Sequence, residues 1–352
     1  EDKNKYQEII RPRAVKSKEE QTQRAKDKAE VFTPAWICNA QNNLIDEAWF
    51  SRKEGLFNSP DPEDPQKWIN NEEKIEFPEG KTWKDYVADM RLEITCGEAP
   101  YLCNRYDAVT GEYNDDVKYR IGMLDRKLRI VSENARDSKE WILWAKIALR
   151  STYGFEWQGD NLLLAREALF FTFEEHYIAQ FGEKKFNQNK MRMMPGVAYI
   201  ISWNVWQMDG LKDTVPLGVP GEEFHQFSLF GDEEPVDLEA DSCKIYNHRS
   251  SNSLLFADIK EGKSNMKFDF VIGNPPYQDN TLGDNETYAP PIYHLFMDAA
   301  FTASDKVELI TPARFLFNAG STPKSWNAER LTDNHFKILY FEQDSTKVFK
   351  NT

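Results

Sequence analysis

Asn274, Pro275, Pro276 and Tyr277 follow directly on the apolar run Phe268, Asp269, Phe270, Val271, Ile272, Gly273. Two consecutive prolines lack N–H donors and have fixed φ, so a central strand must end here and the backbone must turn. The residue before a proline is biased toward extended conformations, which presents Asn274 at the strand's carboxyl end with its amide oxygen able to accept hydrogen bonds. Tyr277 adds a flat ring beside it. Acceptors from the Asn side chain and a Pro carbonyl, next to a stacking ring, suit a planar exocyclic amine with two N–H donors, of which adenine N6 is one.

Several elements must position this turn. Arg91 to Ile94 reads as a short strand, with a small-residue turn from Cys96 to Pro100 at its carboxyl end. Apolar residues at three- and four-residue spacing between Tyr119 and Arg150 predict two helices. A second strand end falls at Tyr153 to Glu156, a helix at about 161–180, and a third strand at Trp203 to Asp209. A fourth strand is Phe268 to Gly273, followed by a helix near Pro291 to Phe301 and a fifth strand at Lys306 to Ile310. Strands alternating with helices point to an α/β fold with a doubly wound, mostly parallel sheet, whose ligands bind beyond the strands' carboxyl ends. Asn58 to Gly80, rich in Pro, Asp, Glu and Asn, reads as a loop.

The chain has 352 residues, 40% of them hydrophobic, enough for a full core. No run approaches the length of a membrane span, and the charged N-terminus lacks a signal-peptide pattern, so a cytoplasmic location is the expectation. Cys38, Cys96, Cys103 and Cys243 show neither C-x-x-C spacing nor a His cluster, which argues for reduced thiols and against a metal site. A net charge of −14 is unusual for a protein that grips phosphates. Nine acids between Leu211 and Asp241, against Lys212 alone, account for −8 of it. That stretch reads as a solvated insertion, and residues 1–30 as a charged arm or a helix leading inward.

In order, these junctions resemble the gamma-class N6-adenine DNA methyltransferases of restriction-modification systems. The resemblance implies a Rossmann-like fold that binds S-adenosylmethionine over residues 31–352, with insertions at about 51–85, 104–150 and 211–256. Val31, Phe32, Thr33 and Pro34 match the family's cofactor-contacting F-T-P element, although Thr33-Pro34 also suits the start of a helix at Ala35. Leu92 to Tyr101 is similar to one branch of the first motif. It implies that Glu93 orients the cofactor's ammonium end and that Thr95, Cys96 and Gly97 line the pocket. Glu156 falls where an acid binds ribose hydroxyls, and Trp157 would cover one face of the cofactor adenine. The third-motif acid has two candidates, Asp209 and Asp258, of which Asp209 fits the N-x-x-x-x-D pattern of Asn204 to Asp209. Tyr293, Phe296 and the strand Glu308 to Pro312 resemble the fifth and sixth motifs, and Phe349 resembles the aromatic that stacks on an extruded base opposite Tyr277.

The implied catalytic group is Asn274, Pro275, Pro276 and Tyr277, the partner is double-stranded DNA, and no metal is needed. A chain that opens at Glu1 without Met and stops at Thr352 suggests a longer parent, with a C-terminal DNA-recognition domain and a fused or separate restriction endonuclease outside these residues. Related N-P-P-Y enzymes methylate protein glutamine or RNA bases, and a non-catalytic recognition subunit is the alternative from a different class.

Overall fold

Every residue of Arg91–Ile94 (β3), Thr152–Glu156 (β4) and Phe270–Gly273 (β8) is buried, so these strands must be covered on both faces. Together with Val205–Gln207 (β5) and Val307–Leu309 (β9) they form a five-stranded sheet in the order β5-β4-β3-β8-β9, parallel at every pairing. The computed structural model describes residues 11–21, 24, 31–52, 55–216, 240–279 and 289–349. The first strand of the sheet is central. The chain builds outward to β5, then returns to lay β8 against the other side of β3, which places a topological switch point between β3 and β8.

Side chains alternate between two cores, as a period of two requires. Phe270 and Ile272 pack with Ala35–Phe50 (α1), Trp83–Val87 (α2), Met123–Asn134 (α3), Ser138–Arg150 (α4), Gly159–Phe181 (α5) and Glu183–Asn204 (α6). Leu92, Ile94, Tyr153, Phe155 and Val271 face the opposite way, toward Phe256–Lys260 (α7) and Tyr293–Ala303 (α8). Lys324–Thr332 (α9) closes a small third cluster around Phe315 and Trp326.

The expected strands and helices lie close to their sequence positions, and further elements appear that the sequence pattern did not indicate, among them α2, α7 and α9. The proline-rich stretch after Asn58 contains an antiparallel pair, Asn58–Pro60 (β1) with Trp68–Asn70 (β2). A second pair, Lys244–Asn247 (β6) with Asn252–Leu255 (β7), lies within the stretch read as insertion. The 22-residue α6 was not announced by the pattern, because Pro195 sits inside it and its apolar stripe is weak. The stretch 104–150 carries α3 and α4, whose buried faces belong to the main core. Most of the acidic run, 217–239, and most of the N-terminal arm lie outside the described residues.

At the amino end of the sheet sits a buried ionic group. Asp46 on α1 accepts from Arg91 Nη1 at 3.0 Å, Arg126 Nη1 at 2.6 Å and the Tyr86 hydroxyl at 2.8 Å. Beside it Lys127 Nζ donates to the carbonyl of Ser151 at 3.1 Å and to its hydroxyl at 2.8 Å, and burial holds its pKa well below the usual lysine value.

Candidate active site

Where β3 and β8 end, Ile94 pairs with Gly273. A Cβ at Gly273 would stand 2.7 Å from the Ile94 carbonyl oxygen, so only glycine permits the two strands to approach this closely. Asn274 follows at once, half-buried, with Pro275 buried behind it. Asn274 Nδ2 donates to Thr33 Oγ1 at 3.3 Å, and the Tyr277 hydroxyl donates to Asn274 Oδ1 at 2.9 Å. The Thr95 hydroxyl lies 2.7 Å from the Ile94 carbonyl and 3.4 Å from that of Asn274. Two segments remote in sequence thus meet Asn274, Thr33 at its side chain and Thr95 at its carbonyl. Tyr277 is held from behind by the Ile292 N–H, which donates to its carbonyl at 3.1 Å, and by the bridge between Gln278 and Pro291.

The turn after β3 is wound tightly. Thr95, Gly97 and Ala99 have φ of 48°, 53° and 63°, the left-handed region in which two of these three residue types are strained. Glu156, at the end of β4, holds the turn: its Oε2 accepts the Gly97 N–H at 2.8 Å and its Oε1 the Gln158 N–H at 2.9 Å. Glu93 is 2% exposed and accepts the Leu102 N–H at 3.1 Å, so it ties the far side of the same loop to β3. Burial pushes its pKa well up, against the opposing pull of the Tyr101 and Leu102 N–H groups, and Glu156 adds to the rise. Burial likewise raises the Cys96 thiol well above its ordinary pKa, which leaves it a protonated packing group.

The F-T-P element enters from the other side. Thr33 is buried, Pro34 precedes α1, and the Ala35 N–H donates to Asp107 Oδ2 at 2.8 Å. The Phe32 ring comes within 3.4 Å of where a Gly97 Cβ would lie. Trp157, directly after Glu156, is 40% exposed and presents a ring to the surface. Asp209 lies two residues beyond Gln207, which pairs with Glu156, and its Oδ1 accepts the Leu211 N–H at 3.0 Å. Asp258, by contrast, stands in the first turn of α7. Phe349 is buried after the short turn Ser345–Lys347. Among the described residues no cluster of three or more His, Cys, Asp or Glu side chains could hold a metal ion, and no helix is long and apolar enough to cross a membrane.

Sequence reasoning missed some of the residues behind this surface. Arg13, in the stretch read as an arm, lies 5.0 Å above the Phe32 ring, and its N–H donates to Glu98 Oε1 at 2.6 Å. Gln41 on α1 receives the Tyr101 hydroxyl. Glu308 on β9 stands beside Ile272, in the same row of the sheet as Glu93. Burial raises its pKa to about 8, with Gln41 pulling it down and Glu47 pushing it up. Only Glu308 was named in the sequence, in the stretch Glu308 to Pro312 that resembles the later motifs, and it is the middle residue of β9.

A parallel α/β sheet whose polar turns gather at the switch point is consistent with a methyltransferase-like fold. Residues 223–349 match the sequence model of the Eco57I restriction-modification methylase family, a span that contains Asn274 to Tyr277, α8, β9 and Phe349. The match supports a methyltransferase of a restriction-modification system, with DNA as its substrate. No curated protein matches the chain closely enough to add to this.

Proposed function

We propose that the chain transfers a methyl group from S-adenosylmethionine to N6 of an adenine flipped out of double-stranded DNA, within a gamma-class, Rossmann-type restriction-modification methyltransferase. The observation that carries this reading is the amide of Asn274, held at the switch point between Thr33, to which its nitrogen donates, and Tyr277, whose hydroxyl its oxygen accepts. An amide oxygen has two lone pairs, so the bond from Tyr277 leaves one for a substrate N–H. The Pro275 carbonyl offers the second acceptor. Accepting both protons of the amine draws its nitrogen toward tetrahedral geometry and turns the lone pair outward. The same acceptors stabilise the positive charge that grows on nitrogen. Tyr277 would stack on the extruded base, and the resemblance gives Phe349 as the aromatic for its other face.

The residues beyond β3, β4 and β5 fit S-adenosylmethionine: Trp157 has a ring face in the open, Asp209 a carboxylate at the next strand end, and the Thr95 to Ala99 turn lies between them and Asn274. When bound, the cofactor supplies an electrophilic methyl on a sulfonium. Glu93, Thr95, Cys96 and Gly97 would shape its methionine end, Glu156 the ribose side, and Phe32, Thr33 and Pro34 the flank. Displacement at the methyl requires an in-line approach, which these fixed turns provide by positioning.

Incubation with labelled S-adenosylmethionine and unmethylated DNA, followed by nucleoside analysis, tests the reading. N6-methyladenine is expected, and it should disappear in Asn274→Ala while cofactor binding persists. Methylcytosine as the product, or label on protein or RNA in place of DNA, overturns it.

A further inference from the structure

Residues 11–21 and Arg24, in the stretch expected to be a charged arm, are pinned to three separate walls of the candidate cofactor pocket. The Arg13 N–H donates to Glu98 Oε1 at 2.6 Å and the Tyr106 hydroxyl to Glu98 Oε2 at 2.6 Å, which fixes the segment to the turn just past Gly97. The Arg13 guanidinium lies 5.0 Å above the Phe32 ring, and that ring in turn faces Gly97. Further along, Arg24 Nη1 is 2.8 Å and Lys16 Nζ 3.5 Å from Asp160 Oδ2, in the first turn of α5 shortly after Glu156. The segment is also tied to itself. Pro12 leads into a tight turn at Arg13–Val15, and Gln21 Nε2 donates to the carbonyls of Arg13 and Lys16 at 3.0 Å each. Arg13 and Lys16 are both buried. Long cationic side chains leave water only where partners offset the desolvation, so this is a seated segment and not a solvated arm.

We propose that this segment is a strap that clasps Phe32, the Gly97–Glu98 turn and the start of α5 together, and that the contact of Asp160 with Arg24 and Lys16 is its latch, which governs how fast S-adenosylmethionine enters and leaves. The inference rests on the cofactor half of the functional reading above. β3 and β4 pair in the sheet, and Glu156 holds Gly97, so two of the three walls are fixed to each other by the strands. Phe32 lies before α1, outside the sheet, and the strap joins its ring to both strand ends through Arg13, Glu98 and Asp160. The latch side chains are 28% exposed at Asp160, 14% at Arg24 and 6% at Lys16, so water reaches the contact and it can break while the buried strands stay paired. Asp160, Arg24 and Lys16 act by holding the pocket walls, as positioning residues. Segments of this kind, seated by a few polar contacts over a site, commonly set the rate of ligand exchange.

Three measurements test this on the full chain. Labelled S-adenosylmethionine chased with unlabelled cofactor should leave Asp160→Asn about fivefold faster than wild type, or more, and Asp160→Glu should restore slow release. Arg24→Met, from the other side of the latch, should speed release as well, and the double variant should be no faster than Asp160→Asn, because both changes break one contact. In wild type, hydrogen exchange over residues 11–21 should slow when S-adenosylmethionine is added, since the cofactor holds the strap shut as the strap holds the cofactor. Unchanged release from Asp160→Asn overturns the proposal. So does faster release that Arg24→Met does not share, which would place the fault in α5 alone, and so does exchange in the strap that ignores the cofactor. Wild-type protein that binds no S-adenosylmethionine overturns the functional reading and the strap with it, whereas tight binding beside unaltered release in the variants removes only the strap.

Discussion

Asn274 and Asp46 show two uses of a polar side chain fixed by several partners. Asn274, half-buried, is held by Thr33 and Tyr277, while Asp46 spends its carboxylate on Arg91, Arg126 and Tyr86 in the interior. Asp46→Ala strands two buried guanidinium groups, and a loss of about 3–5 kcal/mol is expected, measured by chemical denaturation. A loss under 1 kcal/mol would mean that water or another acid takes over. Glu308 makes a different claim on stability. Its pKa rises from 4.5 to about 8 on folding, so the folded state holds a proton that the unfolded chain releases. The resulting stabilisation is complete below about pH 4.5 and is lost as the pH climbs through about 8. Stability of Glu308→Gln should therefore vary less over that window, and parallel curves for the two proteins would contradict it. The tetrapeptide was legible in the sequence because its chemistry is local. The contact of Thr33 with Asn274 was not legible, because it depends on how the segment before α1 lies against the sheet.

Strands and their loops had opposite legibility. β3, β4 and β8 are short strands buried on both faces, and local patterns located them, β8 by its apolar run and β3 and β4 by their strand-to-turn junctions. α6 escaped because an internal proline and a weak stripe hide a helix whose stability comes from packing on α4 and α5. The junction of β3 and β8 was also out of reach, since pairing register is a tertiary fact. Gly273 makes that junction possible. Gly273→Ala should force β8 away from Ile94, at a cost of about 1–3 kcal/mol or more. Methyl transfer should fall further than the loss of folded protein explains, because Asn274 moves with the strand. Full specific activity in the folded fraction would show that the strands can relax apart.

Across the whole molecule, a residue from each of three distant stretches meets at one place: Thr33, Thr95 and Asn274. The alternation of strands and helices was enough to expect a parallel sheet, and the resemblance supplied the order of motifs along it. Neither indicated that the amino end of the sheet would enclose Arg91, Arg126 and Lys127, because pattern reading assigns charged residues to the surface.

The order β5-β4-β3-β8-β9 has a consequence for the time course of folding. As the chain leaves the ribosome, β3, β4 and β5 are complete while β8 is still more than sixty residues away. During that interval β3 offers an unpaired parallel edge, the kind of surface that invites off-pathway association. Pairing of β8 closes the edge and in the same event brings Asn274 to Thr33 and Thr95. The candidate site and protection against aggregation thus mature together, because one pairing event assembles the first and seals the edge.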